Sequence, residues 1–405
     1  MNAALPHAIL LDPNEGSLRI GRVLGRRGVT VHSLTQASSP GAYLVKSRYV
    51  NGAVLPDLPD GQEAWLARLA DLGAGPPAVL LSGSDAASEF LIARRAEIPE
   101  SLRSFEAVDG SHTALMDKAS TYRLAQRAGV RAPWVHPVSS EDDLQKALVQ
   151  GSFPCVVKPV LSHVGKTRGN HRTKVVTSSD AVRDYCTAGL RDQVPMLVTE
   201  HVPGGEDALE AAITVRRADG TYPLVYGRRK LRQWPLEVGV GSMHCSTRGE
   251  QVISSARRLL DHAEYAGVSI VEMKRHADTG ELVLIEVNVR VPMGFGLGDA
   301  AGVDASWRLY GALAGLPLPP QPEVREGRKA VIPHIDLLAV MTRVRRGDLT
   351  WREALGTYRG VREVGVLDLR DPVPALALGA RILSSRLSKG GLRSGNPAPN
   401  ATIAS

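Results

Sequence analysis

The sequence predicts an α/β protein whose first part is a parallel sheet layered with helices. Three observations predict it. Short apolar runs alternate with amphipathic runs: "HAILLD" (7–12) precedes "EGSLRIGRVLGRRG" (15–28), and "VTVHSLT" (29–35) follows. "PPAVLLSGSDAASEFLIARRAEI" (76–98) repeats the strand–loop–helix plan, and strands joined through helices become parallel neighbours. The 405 residues, 43% hydrophobic and 22% charged, suit a globular chain of two or three domains.

Composition excludes several function classes. No apolar run reaches 18 residues, so no membrane span is expected. The start, "MNAALPHAILLDPNEG", lacks the basic n-region and full apolar h-region of a signal peptide. Cys155, Cys186 and Cys245 lack metal-ligand spacing, and an odd, sparse set points to reduced thiols in the cytoplasm. Net charge is +7, but the basic residues are scattered and aromatics make up only 4%. That pattern argues against nucleic acid and fits an anionic small substrate or nucleotide phosphates.

The elements follow in order. The loop after "AILLD" lacks G-x-G-x-x-G, so no dinucleotide site is expected there. "SHTALMDKASTYRLAQRAGV" (111–130) reads as one helix, capped by Ser111 and stopped near Gly129. "PCVVKPV" (154–160) is a strand, and Lys158 within it is costly to bury unless it faces an anion. The alternative is a strand-end lysine reaching solvent. The basic loop 161–174 that follows can close over phosphates, but it is not a Walker A loop, because Leu161 stands where that motif needs glycine. "KVVTSSDAVRDYCTAG" (174–189) is a strand, a Ser/Asp cap and a helix. "MLVTEHV" (196–202) is a strand before a Pro-Gly-Gly turn, with Glu200 at its end. "EAAITVRR" (210–217) and "YPLVYGRRKLRQ" (222–233) form a hairpin about Asp219–Gly220. His244 and Cys245 are sequence neighbours on a strand and face opposite ways, which argues against a catalytic pair. "GEQVISSARRLLDHAEYAG" (249–267) is an amphipathic helix.

"VSIVEMKRHADTGELVLIEVNVRV" (268–291) carries the chemistry. A three-residue loop, Asp278-Thr279-Gly280, would pair Ala277 with Glu281 and, further out, Glu272 with Glu286. Two carboxylates would then face each other across the ladder, with Cβ atoms roughly 4.5–5.5 Å apart. Bare like charges repel; a divalent cation between them reverses the sign. Asn288 adds an oxygen on the same face, and an all-oxygen set suits magnesium. Arg290, next on that face, can hold a phosphate. A merely polar, solvent-facing hairpin is the alternative.

The series of elements over roughly residues 1–320 resembles the ATP-grasp superfamily, and E-x-N-x-R on a hairpin is its most specific motif. Within it, "MDKASTYRLAQRAGVRAPW", "GRRKLRQWP" and "RRGDLTWREALGTYRG…LDLRDPVPAL" resemble the carboxylate–amine ligases, the group of D-aspartate ligase and carbamoyl-phosphate-synthase-like enzymes. The resemblance implies an ATP-grasp fold with an N-terminal parallel α/β domain at 1–107 and the ATP-grasp domain at 108–320. A C-terminal appendage at 321–385 and a disordered tail at 386–405 would follow. It implies ATP and Mg²⁺, with Mn²⁺ as a substitute. Lys118 and Lys158 would grip phosphates; Glu200 and the Val202 backbone would read adenine; Glu206 or Asp207 would hold the ribose. Glu272, Glu286 and Asn288 would hold the metal, Arg290 would stabilise the transferring phosphoryl group, and Lys230 and Arg232 would contact substrate or the γ-phosphate.

Val289 stands where the family more usually has proline, which implies a local backbone change. The glycine-rich run 291–306 either shapes an acceptor pocket or is a flexible loop. The activity so implied is ATP-dependent ligation of a carboxylate to an amine through an acyl phosphate. An enzyme that stops at the acyl or carbamoyl phosphate, and a non-catalytic ATP-binding protein, are the alternatives. Partners would be small-molecule acid and amine substrates, without nucleic acid, in a homodimer by analogy. At the C-terminus, 334–360 predicts two short helices and "GVREVGVLDLRD" a strand. A basic amphipathic helix then packs on the body ahead of a solvated tail, or touches a membrane surface.

Overall fold

β1 (His7–Leu11) turns into α1 (Glu15–Arg26) through Asn14, whose side-chain oxygen accepts from the Gly16 and Ser17 amides at 2.8 and 3.1 Å. The computed structural model that shows this describes residues 4–106, 110–161, 164–165, 168–236 and 239–390, with side chains to residue 384. β2 (Val31–Gln36), β3 (Asn51–Leu55), α2 (Gln62–Gly73), β4 (Ala78–Ser82), α3 (Asp85–Ala93) and β5 (Leu102–Arg103) complete the first layer. Its strands run parallel in the order β3-β2-β1-β4-β5.

The helix predicted over 111–130 is two helices, α4 (Ser111–Met116) and α5 (Lys118–Arg127). Asp117 breaks them: its carboxylate accepts from the Ser120 amide at 2.6 Å and caps α5, as short acidic side chains do at helix starts. Gly110, at φ 85°, and not Ser111, precedes α4. The break makes Lys118 the first residue of α5.

β6 (Val135–Val138), α6 (Glu141–Gln150), β7 (Cys155–Pro159), β8 (Lys174–Val176), α7 (Ser179–Arg191) and β9 (Met196–Glu200) form an antiparallel sheet ordered β6-β9-β7-β8. It has its own core, including Val138, Leu144, Val157, Val182 and Met196. Residues 162–163 and 166–167 of the basic loop lie outside the described residues.

The third sheet comprises β10 (Leu209–Arg216), β11 (Leu224–Trp234), β12 (Val240–Thr247), β13 (Gly267–Arg275), β14 (Leu282–Asn288), β15 (Lys329–Val331) and β16 (Val361–Glu363). Its order is β14-β13-β10-β11-β12-β15-β16. α8 (Glu250–His262) covers one face. α9 (Gly296–Ala300) and α10 (Ala305–Ala314) pack on the other, so the glycine-rich run 291–306 is turns broken by one short helix and the start of another, with Phe295, Leu297, Val303 and Ala305 in the core. α11 (Pro333–Arg346), α12 (Trp351–Thr357) and α13 (Val373–Gly390) follow. The appendage therefore adds β15 and β16 to the central sheet as well as packing helices on it. α13 reaches Gly390, into the segment expected as disordered tail; residues 391–405 lie outside the described residues.

Ala8, Leu10 and Ile20 of the first layer share one core with Ile213, Tyr226, Ile270 and Leu309 of the central sheet and α10. A carbonyl of the 291–295 turn reaches α1 so closely that a Cβ on Gly16 would lie 2.1 Å from Pro292 O. Among the described residues no helix is long and apolar enough to cross a membrane.

Candidate active site

Glu272 lies directly opposite Glu286 on β13 and β14, by a route the turn alone does not predict. Near the turn Met273 faces Leu284 and Arg275 faces Leu282, one residue out of the expected register. The loop has four residues: His276 N–H donates to Glu281 O at 2.8 Å and Gly280 N–H to His276 O at 2.9 Å. A bulge at Ile285 restores the pairing, as one extra residue in a ladder does. The shift sends Leu284 into the core, and the Ile285 carbonyl accepts the Tyr122 hydroxyl at 2.7 Å.

Across the sheet, Arg228, Ala211, Glu272 and Glu286 form one row. Ala211 is small enough for Arg228 to reach over it and donate from Nη2 to Glu272 Oε1 at 2.7 Å. Lys230 Nζ lies 3.8 Å from Glu272 Oε2. Burial raises the Glu272 pKa, but Lys230 and Arg228 outweigh it and hold the carboxyl below its ordinary value. Asn288 donates from Nδ2 to Glu286 Oε1 at 3.1 Å; turned over, the same amide presents its oxygen.

The phosphate-gripping candidates converge here. Lys118 Nζ donates to Val160 O at 3.2 Å and lines a cavity of about 30 Å³ with Asp85, Leu161, Glu286 and Asn288. Burial lowers its pKa, with Glu286 pulling the other way. Lys158 is buried and does not reach solvent. It donates to the Tyr122 hydroxyl at 2.7 Å, and burial lowers its pKa to about 8 against the opposing pull of Glu286. Arg290 donates from Nε to Asp85 Oδ1 at 2.8 Å. Among the described residues, five cations (Lys118, Lys158, Arg228, Lys230, Arg290) gather about three carboxylates (Asp85, Glu272, Glu286), while Asp117 and Glu206 act on Lys118 and Lys230 from the margin. Cations so gathered suit a polyanion.

Other candidates sit differently. The Glu200 carboxylate accepts from Arg131 Nη2 at 2.9 and 3.1 Å and from the Trp134 amide at 3.2 Å, so it is already engaged. Val202 is buried and its carbonyl accepts from Lys274 Nζ at 2.9 Å. Glu206 pairs with Arg343 of α11 and accepts from the Gln233 amide at 3.2 Å, while Asp207 is exposed. Burial raises the Glu206 pKa against the pull of Arg343. Arg232 is bound by both oxygens of Asp336 at 2.9 and 2.7 Å and by Thr357, an arrangement that anchors α11 and α12 and leaves no donor fork for a substrate.

The donor set fits a hard divalent cation shared with a nucleotide. Among the described residues no three His, Cys, Asp or Glu could hold a metal alone. Glu272, Glu286 and the Asn288 amide would supply oxygens, and phosphate oxygens would complete the shell. Sequence reasoning missed Arg228, Tyr122 and Asp85. Arg228 carried a signal, since it lies two residues before Lys230 and so on the same strand face. Asp85 carried none, because it arrives from the first layer.

Residues 123–292 match the family model for the ATP-grasp domain. A formate-dependent phosphoribosylglycinamide formyltransferase from Chlorobium phaeobacteroides (strain DSM 266 / SMG 266 / 2430) is 26% identical over 225 residues. The match covers 53% of this chain and 55% of that relative, so the chain spans about half the length of the curated relative it matches. An ADP complex of N5-carboxyaminoimidazole ribonucleotide synthetase superposes with a TM-score of 0.62 at 17% identity, covering 85% of this chain and 87% of that one. Biotin carboxylase from Campylobacter jejuni gives 0.59 at 14% identity, covering 80% and 74%. At these identities the likeness is one of fold.

Proposed function

The chain carries an ATP-grasp domain, and from that premise we propose that it is an ATP-dependent carboxylate–amine ligase working through an acyl phosphate. One observation supports the reading: the opposed Glu272–Glu286 pair set among five cations, of which Lys158, Arg228 and Lys230 are buried. Lys118, Lys158 and Arg290 hold the polyphosphate and offset charge on the transferring γ-phosphoryl group. Glu272, Glu286 and Asn288 hold the magnesium ion (or manganese), which when bound screens the phosphate oxygens from the carboxylates. Lys230 faces the same space. Arg232, tied to Asp336, keeps β11 and the appendage in register. Glu206, rather than exposed Asp207, faces Lys230 and Arg232 and is the ribose acid; the Val202 backbone borders the adenine.

A substrate carboxylate oxygen takes the γ-phosphoryl group and ADP leaves. The amine nitrogen attacks the acyl carbon, the carbon–oxygen bond to phosphate breaks, and phosphate departs with the bonding pair. The nitrogen gives up a proton, leaving the amide. Positioning and charge neutralisation supply most of the rate. A relative that is a formate-dependent formyltransferase is consistent with small-acid activation. The same reading places the protein in the cytoplasm with free, buried cysteines, as a homodimer acting on small molecules without nucleic acid.

Hydroxylamine trapping tests it. The protein is incubated with Mg-ATP, pooled amino and organic acids and hydroxylamine, and hydroxamates are sought by mass spectrometry alongside ADP. A hydroxamate that disappears in Glu286→Ala is the expected result. Mg-dependent ATP hydrolysis with no hydroxamate from any pool contradicts the acyl-phosphate route.

A further inference from the structure

Asp336 and Arg343 lie seven residues apart on α11, about two helical turns, and so share one face of it. The Asp336 end of that face is fixed. Its buried carboxylate takes Nε and Nη2 of Arg232, the Ser242 hydroxyl at 2.7 Å and the Tyr358 hydroxyl at 2.5 Å. The Arg343 end reaches Glu206, to which β11 also donates the Gln233 amide. The C-terminal appendage therefore touches a carboxylate within the segment that matches the ATP-grasp model.

A row of contacts ties Glu206 to the charged site. Lys230 Nζ lies 3.8 Å from Glu272 Oε2 and donates to Gln233 Oε1 at 3.3 Å, and the Gln233 amide donates to Glu206 Oε2 at 3.2 Å. The Glu206 side chain is 12% exposed; burial raises its pKa, and Arg343 is the largest pull the other way. Arg343 has no second use. Its Nε is buried without a partner, and among the described residues its guanidinium bonds Glu206 alone. Leaving a buried donor unsatisfied is costly, which asks for a role at the one contact made. An ionised carboxylate offers about four acceptor sites on its two oxygens. Arg343 uses one on Oε1 and the Gln233 amide one on Oε2, so each oxygen keeps a site for a further donor. Two neighbouring hydroxyls on one sugar ring match such a pair.

Resting on the nucleotide reading and on Glu206 as its ribose acid, we infer that Arg343, delivered by the C-terminal appendage, is a positioning residue that holds the Glu206 carboxylate to accept the 2′- and 3′-hydroxyls of the nucleotide. The appendage then contributes to nucleotide selectivity as well as to the packing of the central sheet. Its anchor at Asp336 fixes where Arg343 stands, and Arg343 fixes where Glu206 stands.

Calorimetric titration of ATP and of 2′-deoxyATP, each with magnesium, reads the selectivity without the acid or the amine. The wild type should bind ATP about tenfold more tightly than 2′-deoxyATP, the worth of one hydrogen bond to a charged group. Glu206→Gln and Arg343→Met should each cut that preference to about twofold or less, by weakening ATP more than 2′-deoxyATP. Arg343→Lys, which keeps the charge, should restore most of it. Arg343→Gln, uncharged but still able to donate, should also lose it and decides the matter if Arg343→Met does not fold. A preference kept in full in the uncharged Arg343 variants overturns the inference, even if both nucleotides bind more weakly, since a purely structural role weakens the two alike. A preference lost in Glu206→Gln but kept in those variants overturns this inference alone. A wild type without the preference, or a Glu206→Gln that keeps it, removes the ribose assignment and this inference with it; a wild type that binds no Mg-ATP removes the nucleotide reading as well.

Discussion

Glu272 and Glu286 oppose each other, but only Glu272 is held by an arginine in the protein alone. Their substitutions should differ in size. Glu272→Gln leaves Arg228 and Lys230 buried without a counter-charge and should destabilise the protein by about 3 kcal/mol. Glu286→Gln removes the charge that favours the charged forms of Lys118, Lys158 and Arg290 but also the carboxylate that repels Glu272, so it should lower the melting temperature by less, while reducing Mg-ATP affinity. Thermal melts without nucleotide read both. Lys158 gives a pH signature. Its folded pKa, near 8, is below the ordinary lysine value. The unfolded chain therefore binds more protons from about pH 8 upward, and stability gains across that window as pH rises toward the ordinary value. A bound polyphosphate favours the charged amine, so Mg-ATP binding at pH 8 should take up about half a proton. Calorimetry in buffers of different ionisation enthalpy measures that uptake, and Lys158→Met should abolish it. The facing carboxylates were legible in the sequence because a period-two pattern and a turn fix which residues share a face. The pairing was reached through two departures that cancel, a longer loop and a bulge, and neither has a sequence signature as plain as the turn itself. Arg131 capturing Glu200 and Asp336 capturing Arg232 were not legible, because each pair joins distant segments.

At the scale of elements, the break between α4 and α5 aims Lys118. Asp117→Ala should cost about 1 kcal/mol through the lost cap and also weaken Mg-ATP binding, because Lys118 is the next residue. A binding isotherm paired with a melt separates the two effects. The sequence showed a continuous helical pattern here, and the capping aspartate inside it was the overlooked sign. The parallel first layer was legible from its strand–helix alternation. The glycine-rich run was not, since its short helices are stabilised by burial of Phe295, Leu297 and Leu309 rather than by propensity.

Across the whole molecule, the C-terminal segment is bolted to the first layer. Arg22 on α1 is 2% exposed and bonds Asp371 at 2.8 Å, which also receives the Ser47 hydroxyl at 2.7 Å. Asp371→Ala strands that guanidinium and should destabilise the fold by about 3–5 kcal/mol, seen as a lower denaturation midpoint. Strands β15 and β16 continuing the central sheet could not be read from sequence, because the pairing of β15 with β12 and of β16 with β15 is set by tertiary contacts. The same assembly delivers Asp85 from one layer and Glu272, Glu286 and Arg290 from another to a single charged site. We propose that this site binds magnesium and nucleotide together. Calorimetric titration of ATP, with magnesium and with a chelator, into the wild type and Glu286→Gln is the decisive measurement. Binding should need magnesium and weaken at least about tenfold in Glu286→Gln; equal binding with and without magnesium, or none at all, rules joint binding out.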